Sequence, residues 1–381
     1  MASGRTPPGL FNASGAARRL RASPLFSIGP GQPGPSLRRG ALVAVPVGLA
    51  LVLELGLGAP TRGAIGTGAL LAGFPGLDAP AGPRAAWQAA AAPLIGLAAA
   101  LGVLSSQTAV TAVLAMGVLG ALAGYCFAVT LRLAIFGLSV ALALLIAQGL
   151  FLAPGDAGPA LLYGTAGGLL QAAWSLLVWL LADRAADDEA SGWNRRATLA
   201  AFAANLNLAS PACRHAVRFG AALAAGVAIY RLFGLDDHGF WIPLTILFVM
   251  RPERDETYHR LVLRAIGTVL GLVIATALAE SLRGEDLVVG LILATSAALA
   301  YGLLTVQYAL FTAAITVYVV LLTDTLGERA FEAAGQRALG TAVGILIAGL
   351  AFVFWPNPGE GGEARDRRRG AAPPPPEPAA R

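Results

Sequence analysis

The chain has 381 residues, of which 56% are hydrophobic and 13% charged, with a net charge of +5. That is about half the charge density of an ordinary soluble domain. Apolar runs fill most of the stretch from 41 to 356, more than one soluble core absorbs, because such cores stop growing near roughly 250–300 residues. Within lipid only helices and closed barrels satisfy their own backbone, and the runs here are continuous rather than alternating, which excludes a barrel. The sequence reads as an all-α, multi-pass membrane protein.

Residues 1–40 hold six arginines and no acidic residue amid Gly, Pro and Ser, and read as a disordered tail. The first apolar run starts only at Ala41, without a cleavage site, so a secretory signal is not expected. Twelve apolar segments follow, near 41–57, 63–77, 87–104, 108–125, 133–152, 160–181, 216–233, 239–251, 262–280, 287–304, 307–323 and 337–355. The expected organisation is a six-span unit over 41–182, a linker over 183–214, a second six-span unit over 215–356 and a disordered tail over 357–381. All 27 basic residues are arginine. With both termini inside, 22 of those 27 fall on the cytoplasmic side, as the positive-inside rule requires.

The two units repeat without a gap, at the shift that carries Arg38 onto Arg214. The same shift carries Gly63 onto Gly239, Tyr125 onto Tyr301, Gly164-Thr165 onto Gly340-Thr341, Gly168 onto Gly344 and Trp179 onto Trp355. Six spans per copy give both units one orientation, hence a pseudo-twofold axis along the membrane normal. A shorter echo lies inside the second unit, where Arg264-Ala-Ile-Gly-Thr-Val-Leu-Gly resembles Arg337-Ala-Leu-Gly-Thr-Ala-Val-Gly three spans later. An odd number of spans makes these helices antiparallel, as in a nested inverted repeat; the alternative is that GTxxG recurs wherever helices pack closely.

Several functions are unsupported. Cys126 and Cys213 form no CxxC motif and the three histidines show no metal spacing, so neither a metal nor a cofactor is expected. No P-loop or nucleophile–base constellation points to an enzyme, and no aromatic–basic interleaving points to nucleic acid.

The stretch GFWIPLTILFVMRPERDETYHRLVLRAIGT (239–268) joins an apolar run to a dense charge cluster. Together with Ser210-Pro211, Arg214-His215-Ala216, Arg218, Trp241, Leu244-Thr245, Phe248-Val249, Pro252, Thr257, Arg260, Arg264, Gly267-Thr268 and Gly271, and with the closing Arg337, Gly340-Thr341, Gly344 and Trp355-Pro356, it resembles the fusaric-acid-resistance (FUSC) family of bacterial membrane transporters. The likeness is specific over 205–356 and degenerate over 38–181. The chain departs from the family in its short inter-unit linker and in Glu253, Arg254, Asp255 and Glu256 after the proline. The resemblance implies efflux of small organic acids, often aromatic carboxylates, across the inner membrane. The plant aluminium-activated malate transporters, which are anion channels, look related, so a passive channel is the alternative. A non-transporting membrane scaffold is a third reading.

Short Gly/Pro-interrupted segments at matching places in two halves point to a transport site, and 63–77 and 239–251 are such a pair. The candidate substrate-binding residues are therefore Trp241, Thr245, Tyr258, Arg260, Arg264 and Arg337, since guanidinium suits carboxylate. The loop charges also have a plainer reading: cytoplasmic loops are arginine-rich, and Glu253, Asp255 and Glu256 pair with them. Glu54, near the end of span 1, is the candidate for proton coupling; it could instead pair with Arg231 or reach the interface. Asp236, Asp237 and His238 form a weaker proton-sensing candidate. The expected partners are the substrate anion, the bilayer, and either a second copy of the chain or a periplasmic adaptor.

Overall fold

A computed structural model describes residues 33–56, 63–150, 153–181, 195–207, 210–235, 239–282, 285–325 and 330–354. Among them are thirteen α-helices and no strand: α1 (Pro33–Gly56), α2 (Ala64–Gly73), α3 (Ala81–Ser105), α4 (Ala109–Tyr125), α5 (Leu131–Gly149), α6 (Ala157–Leu181), α7 (Arg195–Asn205), α8 (Pro211–Leu232), α9 (Trp241–Val249), α10 (Arg254–Ser281), α11 (Asp286–Leu303), α12 (Tyr308–Thr325) and α13 (Ala330–Phe354). Nine stretches are long and apolar enough to cross a membrane; α2, α4 and α9, with 10, 17 and 9 residues, are not. Each apolar segment expected from the sequence falls on one helix, and α7 is an extra short helix within the linker. Asp236, Asp237 and His238 lie outside the described residues, as do residues 355–381.

Three helices start earlier than their apolar content suggests. α1 begins at Pro33, within the stretch expected to be tail, because proline fits the first turn of a helix, where its missing N–H is not needed. α10 begins at Arg254 and α13 at Ala330. Most of the charged stretch is thus two turns of helix rather than a loop. Lipid sets how far the apolar part of a helix runs, but not where the hydrogen-bonded turns begin.

Local signals explain other ends. Thr108, Thr130 and Ser210 cap α4, α5 and α8, each accepting from a backbone N–H three residues on, as N-cap side chains do. Pro46, inside α1, removes the N–H that would bond the Leu42 carbonyl. The Trp174 indole N–H of α6 donates to that carbonyl at 2.8 Å instead.

The helices pair in the same way in both halves. α1 packs on α2, α2 on α6, α3 on α5 and α6, and α4 on α5; likewise α8 packs on α9, α9 on α13, α10 on α12 and α13, and α11 on α12. Between halves, α1 packs on α11 and α8 on α4. Glycine allows the close approach, with Gly48 against Ala294 and Gly120 against Gly220. The two buried cores each draw residues from both halves, so neither half is an independent globule. Exposed Leu114, Val118, Leu162, Val269, Val273 and Leu346 form the surface that lipid would cover.

Candidate functional site

The nine residues of α9 span about 13 Å at 1.5 Å per residue, against a hydrocarbon core of about 30 Å. Every residue of α9 except Phe248 is buried, so this short helix ends inside protein, where a broken backbone at membrane depth is tolerated. It packs on α8 and on the two Arg-x-x-Gly-Thr-x-x-Gly helices, and Tyr308 and Phe311 of α12 reach it at Phe248.

The two copies do equivalent work. In α13, Gly340 lies against Trp241 of α9, and Gly344 against Thr245 and the Ile242 carbonyl. In α10, Gly267 lies against Ala309 and Thr312 of α12, and Gly271 against Thr316 and the Ala313 carbonyl. A β-carbon at Gly271 or Gly344 would come within 2.7 Å of these neighbours, so only glycine permits this spacing. Each copy presses its glycines on a threonine-bearing helix, and each carries its arginine into the space between.

Arg337 sits over the Trp241 ring, 4.3 Å from its centroid, and donates Nη2 to Thr316 Oγ1 at 3.0 Å. Arg264 sits over Phe248 at 4.9 Å and donates to the Tyr308 hydroxyl. Tyr308 in turn donates to the Phe248 carbonyl at 3.0 Å. Both arginines are 1% exposed, and their charges act on one another. Among the described residues neither has a carboxylate partner, and Nε and Nη1 of both lack hydrogen-bond acceptors. Trp241 Nε1 and the hydroxyls of Thr245, Thr268 and Thr312 are also without partners. A buried guanidinium without a counter-ion costs several kcal/mol, and charges at membrane depth mark ion or substrate pathways. Two of them beside unsatisfied donors make a centre complementary to an anion.

The other candidates fall elsewhere. Arg260 pairs with Glu256 at 2.9 Å and lies over the Tyr308 ring at 4.7 Å, the residue whose hydroxyl meets Arg264. Tyr258 is 37% exposed and donates to the Gly349 carbonyl at 3.4 Å; it does not join the cluster. The rest of the charged stretch is partly paired, although Arg251 Nε has no hydrogen-bond acceptor among the described residues. Arg251 Nη1 donates to the Met250 carbonyl and Nε approaches Glu256 at 3.8 Å, while the Thr257 hydroxyl accepts from the Arg251 amide. Burial, with the charge of Arg260 next in weight, pushes the Arg251 guanidinium down to about 9, so it stays protonated at neutral pH.

Glu54 is 5% exposed and accepts from the amides of Ile65 at 3.0 Å and Gly66 at 2.9 Å. It caps α2, whose exposed amides favour an anion. The sequence pairing of Glu54 with Arg231 does not occur, because Arg231 donates to the Ser106 carbonyl at 2.6 Å. Thr268, Thr312, Thr316, Phe248 and Tyr308 were not among the expected site residues. Thr312 and Thr316 share one face of α12 at i and i+4, and that spacing was the available signal.

Residues 223–351 match the family model described as fusaric acid resistance protein-like. The chain is 41% identical over 148 residues to "Inner membrane protein YccS" of Escherichia coli, an alignment covering 38% of this chain and 20% of that protein. It is 35% identical over 149 residues to an uncharacterized protein of Haemophilus influenzae, covering 39% and 20%. To an uncharacterized protein of Neisseria gonorrhoeae it is 30% identical over 161 residues, covering 42% and 38%. The match thus spans about a fifth of the first two relatives. No solved structure gives a significant match.

Proposed function

We propose that this membrane protein, whose second half is of the fusaric acid resistance protein-like family, is an inner-membrane transporter that moves small organic anions outward, aromatic carboxylates foremost. The observation that carries the proposal is the pair Arg264 and Arg337, buried together without a carboxylate. An incoming carboxylate would accept from the unpartnered N–H groups of either guanidinium, which holds both oxygens in one plane. The Thr245, Thr268 and Thr312 hydroxyls and the Trp241 indole N–H supply further donors, and apolar Phe248 and Trp241 suit a ring. Arg260, over Tyr308, offers its charge to the anion when its pair with Glu256 opens, and so leads the anion toward Arg264.

The antiparallel α10 and α13 give the path two similar halves with one arginine each. Tilting one glycine contact against the other would offer the anion first to Arg264 and then to Arg337, in the manner of inverted-repeat carriers. Proton coupling enters through Glu54: a proton on this carboxylate removes the charge that caps α2 and frees that short helix to shift. The test is uptake of radiolabelled benzoate into proteoliposomes holding the purified chain. Saturable uptake that falls by at least about tenfold in both Arg264→Gln and Arg337→Gln, and survives in Arg254→Gln, is the expected result. Uptake equal in all three variants would sink the proposal, and conduction that never saturates would make the protein a channel.

A further inference from the structure

A second cationic site lies in the first half, away from the Arg264–Arg337 centre. A cavity of about 580 Å³ opens where the first residues of α1 and α3 come together, lined by Arg38, Arg39, Leu42, Asp78 and Arg84 among others. Arg84 is 6% exposed, and its Nε donates to Ser175 Oγ of α6 at 3.3 Å, which fixes the side chain at the cavity wall. The Arg39 charge acts on it directly. The one acid in the wall, Asp78, is committed elsewhere: Arg132 Nε reaches its two oxygens at 3.0 and 2.8 Å. Arg38, Arg39 and Arg84 have no carboxylate partner among the described residues, and residues 1–32 contain no acid that could supply one.

The repeat shows that this excess is specific to the first half. In the second unit the position of Arg84 is taken by Arg260, which is held by Glu256 at 2.9 Å; in the first unit the place of Glu256 is taken by Pro80. The same arginine position is neutralised in one half and left open in the other.

Depth and surroundings narrow the ligand. Arg84 lies three residues after Ala81, the first of α3, so its Cα is about 5 Å along the helix axis from that end. Trp174, whose indole bonds the Leu42 carbonyl, lies beside the cavity, as tryptophans do at headgroup level. From the cavity an apolar ridge of exposed Leu42, Val45 and Leu49 runs along α1. We propose that this cleft binds a phosphate-bearing anion, with Arg38, Arg39 and Arg84 on the phosphate oxygens. A lipid headgroup whose acyl chains lie on the α1 ridge fits the apolar ridge as well as the charge, and clusters of arginine between helices are known to take such headgroups.

The test is titration of the full-length protein in detergent with phosphatidylglycerol and, separately, with phosphatidylcholine, read by native mass spectrometry with inorganic phosphate as competitor. Phosphatidylglycerol should be retained in preference to phosphatidylcholine. The double variant Arg38→Gln/Arg39→Gln, at exposed positions that folding does not need, should bind it about tenfold more weakly, and Arg84→Gln should weaken it by a similar factor. Arg254→Gln, which removes one positive charge in the other half, should change nothing. Displacement by inorganic phosphate at millimolar concentration, with no selectivity for the lipid, would keep the phosphate site and assign it to a soluble anion. Equal binding of both lipids that inorganic phosphate leaves unchanged, or undiminished phosphatidylglycerol binding by the double variant, would overturn the proposal.

Discussion

The two halves share a chain path and a pairing scheme but differ at their centres. In the second half Trp241, Thr245, Arg264, Thr268, Thr312, Thr316 and Arg337 converge on one buried cluster. Their equivalents in the first unit are Ile65, Ala69, Gln88, Ala92, Phe136, Val140 and Leu161. One polar side chain survives there: Gln88, fully buried, with neither amide atom partnered. The first half thus keeps the glycine contacts, such as Gly68 against Gly164 and Gly168 against Ala92, and replaces the polar lining with apolar packing. Close packing and a polar centre are separable, and among the described residues only the second half builds such a centre between its glycine-packed helices. In compensation the first half holds open charge at its rim, at Arg38, Arg39 and Arg84.

The polar centre is where the two halves should respond most differently to substitution. Arg264→Gln or Arg337→Gln should each lower saturable benzoate transport by roughly ten- to a hundredfold, since each removes charge-assisted bonds of about 1.5–3 kcal/mol; initial uptake rates in proteoliposomes read this. Next comes the packing beneath it. Gly344→Val puts a branched side chain against Thr245 and the Ile242 carbonyl, and should cost about 1–3 kcal/mol, seen as a lower melting temperature in detergent.

A cap at the other short helix should have a moderate effect. Glu54→Gln keeps the shape but removes the charge that faces the Ile65 and Gly66 amides. It should lower stability by about 0.5–2 kcal/mol and flatten the pH dependence of transport; transport that keeps its wild-type pH profile would remove Glu54 from coupling. In the opposite direction, Gln88→Leu completes the apolar conversion of the first half. With no hydrogen bond to lose, it should be neutral or stabilising by up to about 1–3 kcal/mol, with transport intact. Glu256→Gln should change least, at most about 0.5 kcal/mol by thermal melting, because the Glu256–Arg260 pair is a partly exposed i,i+4 contact.

How much of this was legible varies by residue. Arg264 announced itself as a charge at the head of a glycine-rich apolar run, and its twin at Arg337 by the repeated motif. Trp241 and Thr245 were legible from the short proline-containing segment. Thr312 and Thr316 were not, because in TAAITVYVV they read as ordinary members of a buried helix. The charged turn misled: Glu256 and Arg260 looked like loop residues, yet their four-residue spacing is the spacing of a helix face. Glu54 read as a lone carboxylate in a span; that it caps α2 depends on where the chain returns 11 residues later.

Composition and hydrophobic runs were enough to establish an all-helical, multi-pass chain, and the spacing of its glycines and aromatics to relate one half to the other, because burial in lipid demands long apolar helices whatever their neighbours. Which arginines meet, and that they meet without a carboxylate, was decided only by tertiary structure. Arg264 and Arg337 stand on helices far apart in the chain, and their meeting depends on which helix each glycine face selects. That choice is made by shape at close range, where a single β-carbon decides whether two helices can touch.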